Sequence, residues 1–184
     1  AGTLYAGDMT GLRWGILATG GIAGSFASDL RAAGLDLVAV GSRSQESADA
    51  FAARFDIPHA HPSYEALVAD PDVDIIYVST PHPMHHANAR LALEAGKHVL
   101  VEKAFTLNQA EAADLQALAT ERGLLAINHE ATTDEKLSSF FLHADGGTST
   151  LPRPAAEVDK ETAVHGVAVI EVAKSGGKWA YVPG

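Results

Sequence analysis

Four short stretches of this chain carry side chains and glycines at spacings that could do chemistry. The first is Trp14-Gly-Ile-Leu-Ala-Thr-Gly-Gly-Ile-Ala23, an apolar run that meets two glycines and then a helix-forming segment. A buried strand, a tight glycine turn and a helix N-terminus together make an anion site. The free N–H groups of the first helical turn point at the ligand, and a missing Cβ lets backbone approach it. The usual dinucleotide spacing is G-x-G-x-x-G/A. Here it reads Ala18-Thr19-Gly20-Gly21-Ile22-Ala23, with Ala in the first slot. The stretch therefore assigns Ala18, Gly20, Gly21, Ile22 and Ala23 to a pyrophosphate, with the glycines expected to supply the φ angles of the turn. Taken alone, such a turn is also common as a purely structural one.

The second stretch is Val38-Ala39-Val40-Gly41-Ser42-Arg43-Ser44, about twenty residues further on, where an NAD site places an acid against the ribose 2′-hydroxyl. A small hydroxyl residue and an arginine stand there instead. Ser42 and Arg43 suit a 2′-phosphate through charge-assisted hydrogen bonds, so NADP is favoured over NAD. The competing reading makes Ser42 the cap of the next helix and Arg43 a solvated charge.

The third stretch, Ser79-Thr80-Pro81-His82-Pro83-Met84-His85-His86, follows a strand, where the carboxyl edge of a sheet opens toward ligand. The prolines fix φ and start the next helix. Thr80, Pro81, His82 and His85 then fall where they would line the nicotinamide side or cap the helix. A zinc site is disfavoured because adjacent His85 and His86 diverge on a helix and no further ligand falls at metal spacing. The fourth stretch is Glu102-Lys103, at the end of the apolar run His98-Val99-Leu100-Val101. An ammonium there can hold or protonate a carbonyl oxygen as hydride is transferred. The same pair on an open surface would be an ion pair of little value. Residue types alone leave those two readings even.

The elements that must position these stretches alternate along the chain. Strands are expected at Arg13–Ala18, Asp36–Ser42, Ile75–Ser79, His98–Val101 and Leu124–Asn128. Helices are expected at Ile22–Ala33, Gln45–Arg54, Tyr64–Ala69, Met84–Ala95 and Asn108–Arg122. Strands such as Ile75-Ile76-Tyr77-Val78 are apolar without alternation, which means burial on both faces of a parallel sheet. Right-handed crossovers then give an α/β, doubly wound Rossmann domain.

Bulk properties narrow the classes. The 184 residues are 47% hydrophobic, enough for one good core. The net charge of −10 argues against a nucleic-acid or anionic-membrane surface. No apolar window reaches the ~18 residues of a membrane span, and no secretory signal is visible at the start. The absence of cysteine removes disulfide and thiolate chemistry and is compatible with a cytoplasmic location.

The glycine turn, Gly41-Ser42-Arg43-Ser44, Ser79-Thr80-Pro81 and Gly96-Lys97-His98-Val99 to Glu102-Lys103 occur in the order found in the Gfo/Idh/MocA family. Over residues 12–124 the chain resembles that family's N-terminal domain. The resemblance implies an NAD(P)-dependent oxidoreductase of sugars, polyols or diols, with Lys103 as the catalytic lysine beside Glu102. The family's Glu-Lys-Pro motif reads Glu102-Lys103-Ala104 here, which removes the stiffness that proline gives the loop.

Members of that family continue into a substrate-binding α/β domain, whereas this sequence changes character after about Gly123. The expected division is a leader over 1–10, the dinucleotide-binding domain over 11–128 and a tail over 129–184. In that tail Asp145–Pro154 reads as loop, and Val164–Val172 with Lys178–Val182 reads as a β-hairpin around Ser175-Gly176-Gly177. The tail resembles a fragment of PhoX-type alkaline phosphatases through Gly123-Leu-Leu-Ala-Ile-Asn-His-Glu130, His165-Gly166-Val167 and a Gly-Gly-Lys-Trp turn. That resemblance makes Glu130 a metal-ligand candidate, but hard-cation sites need several oxygens from distant loops. The expected function is the NADP-binding half of an oxidoreductase, short of its substrate wall. The alternatives are a non-catalytic module that forms a homo-oligomer through the tail and, less favoured, a metal-dependent phosphatase fragment.

Overall fold

The computed structural model describes residues 11–129 and four short strands beyond them. The strands of the body are β1 (Arg13–Leu17), β2 (Asp36–Gly41), β3 (His59–His61), β4 (Ile75–Val78), β5 (His98–Glu102) and β6 (Ala126–His129). Between them run α1 (Gly21–Ala32), α2 (Gln45–Phe55), α3 (Tyr64–Val68), α4 (His85–Glu94) and α5 (Gln109–Arg122). These strands lie parallel in the order β3-β2-β1-β4-β5-β6. The order reverses between β1 and β4, the place where doubly wound sheets form a ligand crevice at the carboxyl ends of their strands.

Period-two alternation sends the strands' apolar residues to opposite faces, each covered by helices. On one face Ile16, Val40, Tyr77 and Leu100 pack with Phe26 and Leu30 of α1 and Phe51 of α2. On the other, Leu17, Ile76, Val78, Val99 and Val101 pack with Leu67 of α3, Leu93 of α4 and Leu115 of α5. Each fully buried aliphatic side chain contributes roughly 1.5–3 kcal/mol relative to exposure. This burial on both sides is why the strand sequences read as continuous apolar runs.

Helix starts are fixed locally. Ser44 accepts from the Ser47 N–H to cap α2, Ser63 accepts from Ala66 to cap α3, and Asn108 accepts from Glu111 to cap α5. Glu111 answers by accepting from the Leu107 N–H at 3.0 Å, a reciprocal capping arrangement. At the start of α1, by contrast, Gly20 supplies no side-chain cap.

The expected strands and helices of the body are present, with ends displaced by one or two residues. The exception is β3, which the sequence pattern passes over: His-Ala-His is short, half-buried and not apolar. The segment from Gly123 that carries the phosphatase-like resemblance also belongs to the body. Gly123 closes α5 in the left-handed conformation at φ 66°, and Ala126–His129 then pair parallel with Val99–Glu102. The sheet does not stop at residue 128. Strands β7 (Phe140–Leu142) and β8 (Thr148–Thr150) extend it antiparallel, the second inside the stretch expected to be loop. Strands β9 (Ala168–Val169) and β10 (Val182–Pro183) pair antiparallel, with Val169 opposite Val182. The turn expected at Ser175–Gly177, Glu130 and the His165–Val167 motif lie outside the described residues.

Candidate dinucleotide and catalytic site

The glycine turn links β1 to α1 at the reversal point of the sheet. Its left-handed residue is Ala18 at φ 96°, whereas Gly20 has an ordinary φ of −76°. The expectation that these glycines supply positive φ is therefore corrected. Ala18 is held in place because its N–H donates to Gly41 O at 2.9 Å, tying the ends of β1 and β2. What glycine provides here is space. A Cβ on Gly20 or Gly21 would meet nothing within 4 Å, so the approach to the backbone is open. Ala23 is fully buried and Ile22 is 48% exposed, so the turn is anchored by one and flanked by the other. The first N–H groups of α1 have no intrahelical partner. No acidic side chain stands in that turn to oppose an anion.

Ser42 is buried at the end of β2, and its N–H donates to His61 O at 3.1 Å. Its Oγ lies 3.5 Å from Thr19 Oγ1, which brings the second stretch against the glycine turn. The cap of α2 is Ser44 rather than Ser42. Arg43 is exposed and takes part in no ion pair among the described residues. The Ser42 hydroxyl thus stands against the glycine turn, and the exposed Arg43 follows it in the chain.

Across the crevice, Ser79 closes the gap between β1 and β4 by donating from both N–H and Oγ to Leu17 O. Thr80 is buried, and its Oγ1 accepts from Asn88 Nδ2 at 3.0 Å. Pro81 opens a single 3-10 turn, His82–Met84, that leads into α4. The histidines here take separate partners. His82 Nε2 lies 3.0 Å from Thr106 O, and His86 Nε2 lies 2.8 Å from Asp114 Oδ2. The Arg90 guanidinium and the His86 ring hold the Asp114 carboxyl below its usual range. His85 is 1% exposed, with Nε2 2.7 Å from Thr80 O and Nδ1 2.8 Å from Ala104 O. It therefore fastens the loop after β4 to the loop after β5, and both of its ring nitrogens face main-chain carbonyls. The histidine and aspartate atoms that do converge lie elsewhere, at His59, His61 and Asp70. The sequence signal for them was a His-x-His pair at strand spacing.

At the end of β5, Glu102 is buried and is no solvated surface charge. Tyr77 Oη donates to Glu102 Oε1 at 2.6 Å, and the main-chain N–H of Lys103 donates to Glu102 Oε2 at 2.9 Å. Tyr77 is itself enclosed, with the Phe26 ring stacked 3.8 Å away. Burial, and then the neighbouring carboxylate, push the Tyr77 phenol far above its ordinary value, so it stays a donor. Lys103 is exposed beside this rigid support, and the peptide that follows it to Ala104 is cis. Sequence reading found Glu102 and Lys103 but not Tyr77, which looked like one more core residue of β4.

A parallel sheet reversing at an uncapped glycine turn, with a supported lysine at the end of a neighbouring strand, defines a nucleotide-binding α/β domain of the oxidoreductase type. Residues 12–129 match the profile described as GFO_IDH_MocA, an oxidoreductase family with an NAD-binding Rossmann fold, and the chain belongs to that family. It is 46% identical over 134 residues to a D-xylose 1-dehydrogenase (NADP(+)) of Hypocrea jecorina, covering 66% of this chain and 34% of that protein. It is 36% identical over 173 residues to the human trans-1,2-dihydrobenzene-1,2-diol dehydrogenase, covering 90% of this chain and 51% of that one. That alignment continues well past Gly123, so a dehydrogenase relative also accounts for tail residues. Among solved structures, KijD10, a 3-ketoreductase from Actinomadura kijaniata in complex with NADP, superimposes with a TM-score of 0.62. The two are 37% identical, over 64% of this chain and 38% of that one. The chain spans a third to a half of the length of the relatives it matches.

Proposed function

We infer that this chain binds NADP(H) and serves an oxidoreductase that acts on a C–OH group of a small sugar, polyol or diol. The observation that carries the cofactor choice is the end of β2. A buried serine whose Oγ lies 3.5 Å from Thr19 Oγ1 of the glycine turn is followed by an exposed arginine, at the place in the chain where an NAD site would have an acid. The dehydrogenase and ketoreductase names of the relatives, two of which specify NADP, support the same reading. The N–H groups at Gly20, Gly21, Ile22 and Ala23, with Ala18, would hold the pyrophosphate. Ser42 and Arg43 would hold the 2′-phosphate, and Thr80, Pro81 and His82 would border the nicotinamide. His85 would act on that border indirectly, by holding the two loops together.

The bound nicotinamide would supply the donor and acceptor of hydride. Lys103 would hold the substrate oxygen, giving it a proton in reduction and taking the proton back in oxidation. Glu102 would support that role by accepting from the Lys103 main chain, with its other oxygen fixed by Tyr77. Titration of NADPH by fluorescence or calorimetry tests the proposal. Saturable binding is expected, with NADH weaker by about tenfold or more for want of a 2′-phosphate. No binding of NADPH at about millimolar concentration would sink it.

A further inference from the structure

The strand that hydrophobic patterning passes over assembles a group of side chains that the proposed cofactor site does not use. In β3, His59 and His61 stand two residues apart and project to one face. Facing them after α3 is Asp70, whose side chain is 5% exposed. Its Oδ2 lies 2.7 Å from His59 Nδ1 and 2.8 Å from His61 Nε2. These three atoms lie within 4.8 Å of one another. The two rings meet at 85°, so their nitrogens reach the carboxylate from different directions. The carboxylate is held from behind, because Asp70 Oδ1 accepts from the Asp72 N–H at 2.8 Å. The Asp70 carbonyl also accepts from Lys97 Nζ at 2.7 Å, which anchors the backbone on which it sits.

We propose that His59, His61 and Asp70 form a binding site for a divalent transition-metal ion of the zinc type. Two imidazole nitrogens and one carboxylate oxygen are a donor set that favours zinc, cobalt, nickel or copper over magnesium or calcium. Zinc binds such atoms at about 2.0–2.2 Å, and tetrahedral placement sets ligand atoms roughly 3.3 Å apart. The two contacts to Asp70 need to open by about half an ångström and the two ring nitrogens, within 4.8 Å of each other, to draw together toward the same spacing, changes that side-chain rotations supply. Metal binding also asks each ring to move its proton from the nitrogen facing Asp70 to the other one. The side chains of His59 and His61 are 38% and 22% exposed, so water can receive that N–H and fill the remaining coordination positions. The bond from Asp72 to Oδ1 is the kind of outer support that orients a ligating carboxylate. Asp72 and Asp74 add negative charge nearby, while Lys97 and the Arg13 pair with Asp74 offset part of it. An occupied site would clamp the edge strand β3 to the turn after α3.

The test uses the full chain with any purification tag removed. Zn²⁺ is titrated against a chromophoric chelator, and Co²⁺ is followed by its visible absorption. One equivalent per chain is expected. Affinity should fall by about tenfold or more in His59→Ala and in His61→Ala. It should be unchanged in His86→Ala, a histidine of α4 that pairs with Asp114 of α5. Saturating Zn²⁺ should raise the unfolding temperature of the parent chain and not of the double variant. His59 is partly exposed, so its replacement is expected to fold, as checked by far-ultraviolet circular dichroism. Zinc binding that survives loss of both histidines would overturn the proposal. So would absence of binding up to about 0.1 mM zinc. Either result would leave Asp70 as a hydrogen-bonded fastener of the edge strand.

Discussion

At the scale of single residues, the proposed site separates groups that would touch ligand from groups that hold them. Arg43, exposed and next in sequence to the buried Ser42, would be of the first kind. Arg43→Ala is expected to weaken NADPH by about ten- to a hundredfold, the loss of one or two charge-assisted hydrogen bonds, and to leave NADH nearly unchanged. Parallel fluorescence titrations check this, and equal losses for both cofactors would remove the 2′-phosphate role. Tyr77 belongs to the second kind. Tyr77→Phe deletes the 2.6 Å bond to Glu102 inside the sheet and should cost about 1–3 kcal/mol in urea unfolding. An unchanged midpoint would show that Glu102 does not depend on that hydroxyl.

At the scale of elements, the cofactor crevice depends on how closely α3 lies against the end of β2. A Cβ on Gly41 would sit 2.7 Å from Leu67 Cβ and 3.2 Å from Ser63 O, and neither atom is the free end of a flexible side chain. Gly41→Ala must push α3 outward, at a cost of about 1–3 kcal/mol. Because Gly41 O also receives the Ala18 N–H, the same change should disturb the glycine turn and weaken NADPH. Calorimetry and urea melts on one preparation measure both effects, and a variant as stable as the parent would refute the tight fit. Most of the body's elements were legible in the sequence because buried parallel strands need continuous apolar runs and helices carry capping residues such as Ser44, Ser63 and Asn108. Strand β3 was not, because an edge strand held by Asp70 and by pairing with β2 needs no apolar pattern.

At the scale of the whole molecule, several buried or paired groups make stability fall with acid. Burial depresses the His98 ring below the ordinary histidine value of 6.5, and its Nδ1 accepts from the Leu125 N–H, a bond that requires the neutral form. A depressed histidine contributes stability that is complete above the unfolded value and is lost as pH falls below it. Asp74 is lowered from the ordinary carboxylate value of 3.8, chiefly by the Arg13 hydrogen bond and against the effect of burial. For Asp70, burial is the largest single influence and pushes upward, but the Asp72 N–H and the His59 and His61 rings outweigh it. Stability from these carboxylates is present above pH 3.8 and disappears as pH falls through their lower folded values. Urea midpoints should therefore decline below pH 6.5 and more steeply near and below 3.8. In His98→Gln the upper phase should vanish, and its persistence would assign it to another group.

By itself the sequence determined the central strands of the sheet, the helices that cover it and the candidate residues at the strand ends. Those follow from local patterns: apolar runs, caps, a glycine pair, and Ser42-Arg43 where an acid would otherwise stand. Only the tertiary structure decided which of these side chains stay exposed and which are buried against partners. Ala18, not Gly20, takes the left-handed angle because Gly41 reaches it from another strand. His85 turns inward between two loops, Tyr77 reaches Glu102 across neighbouring strands, and Asp70 gathers two histidines from an edge. Each of these contacts joins residues distant in sequence or set by the turn between them. A period or a spacing can place a side chain on a face, but the packing of several elements selects the partner it meets there.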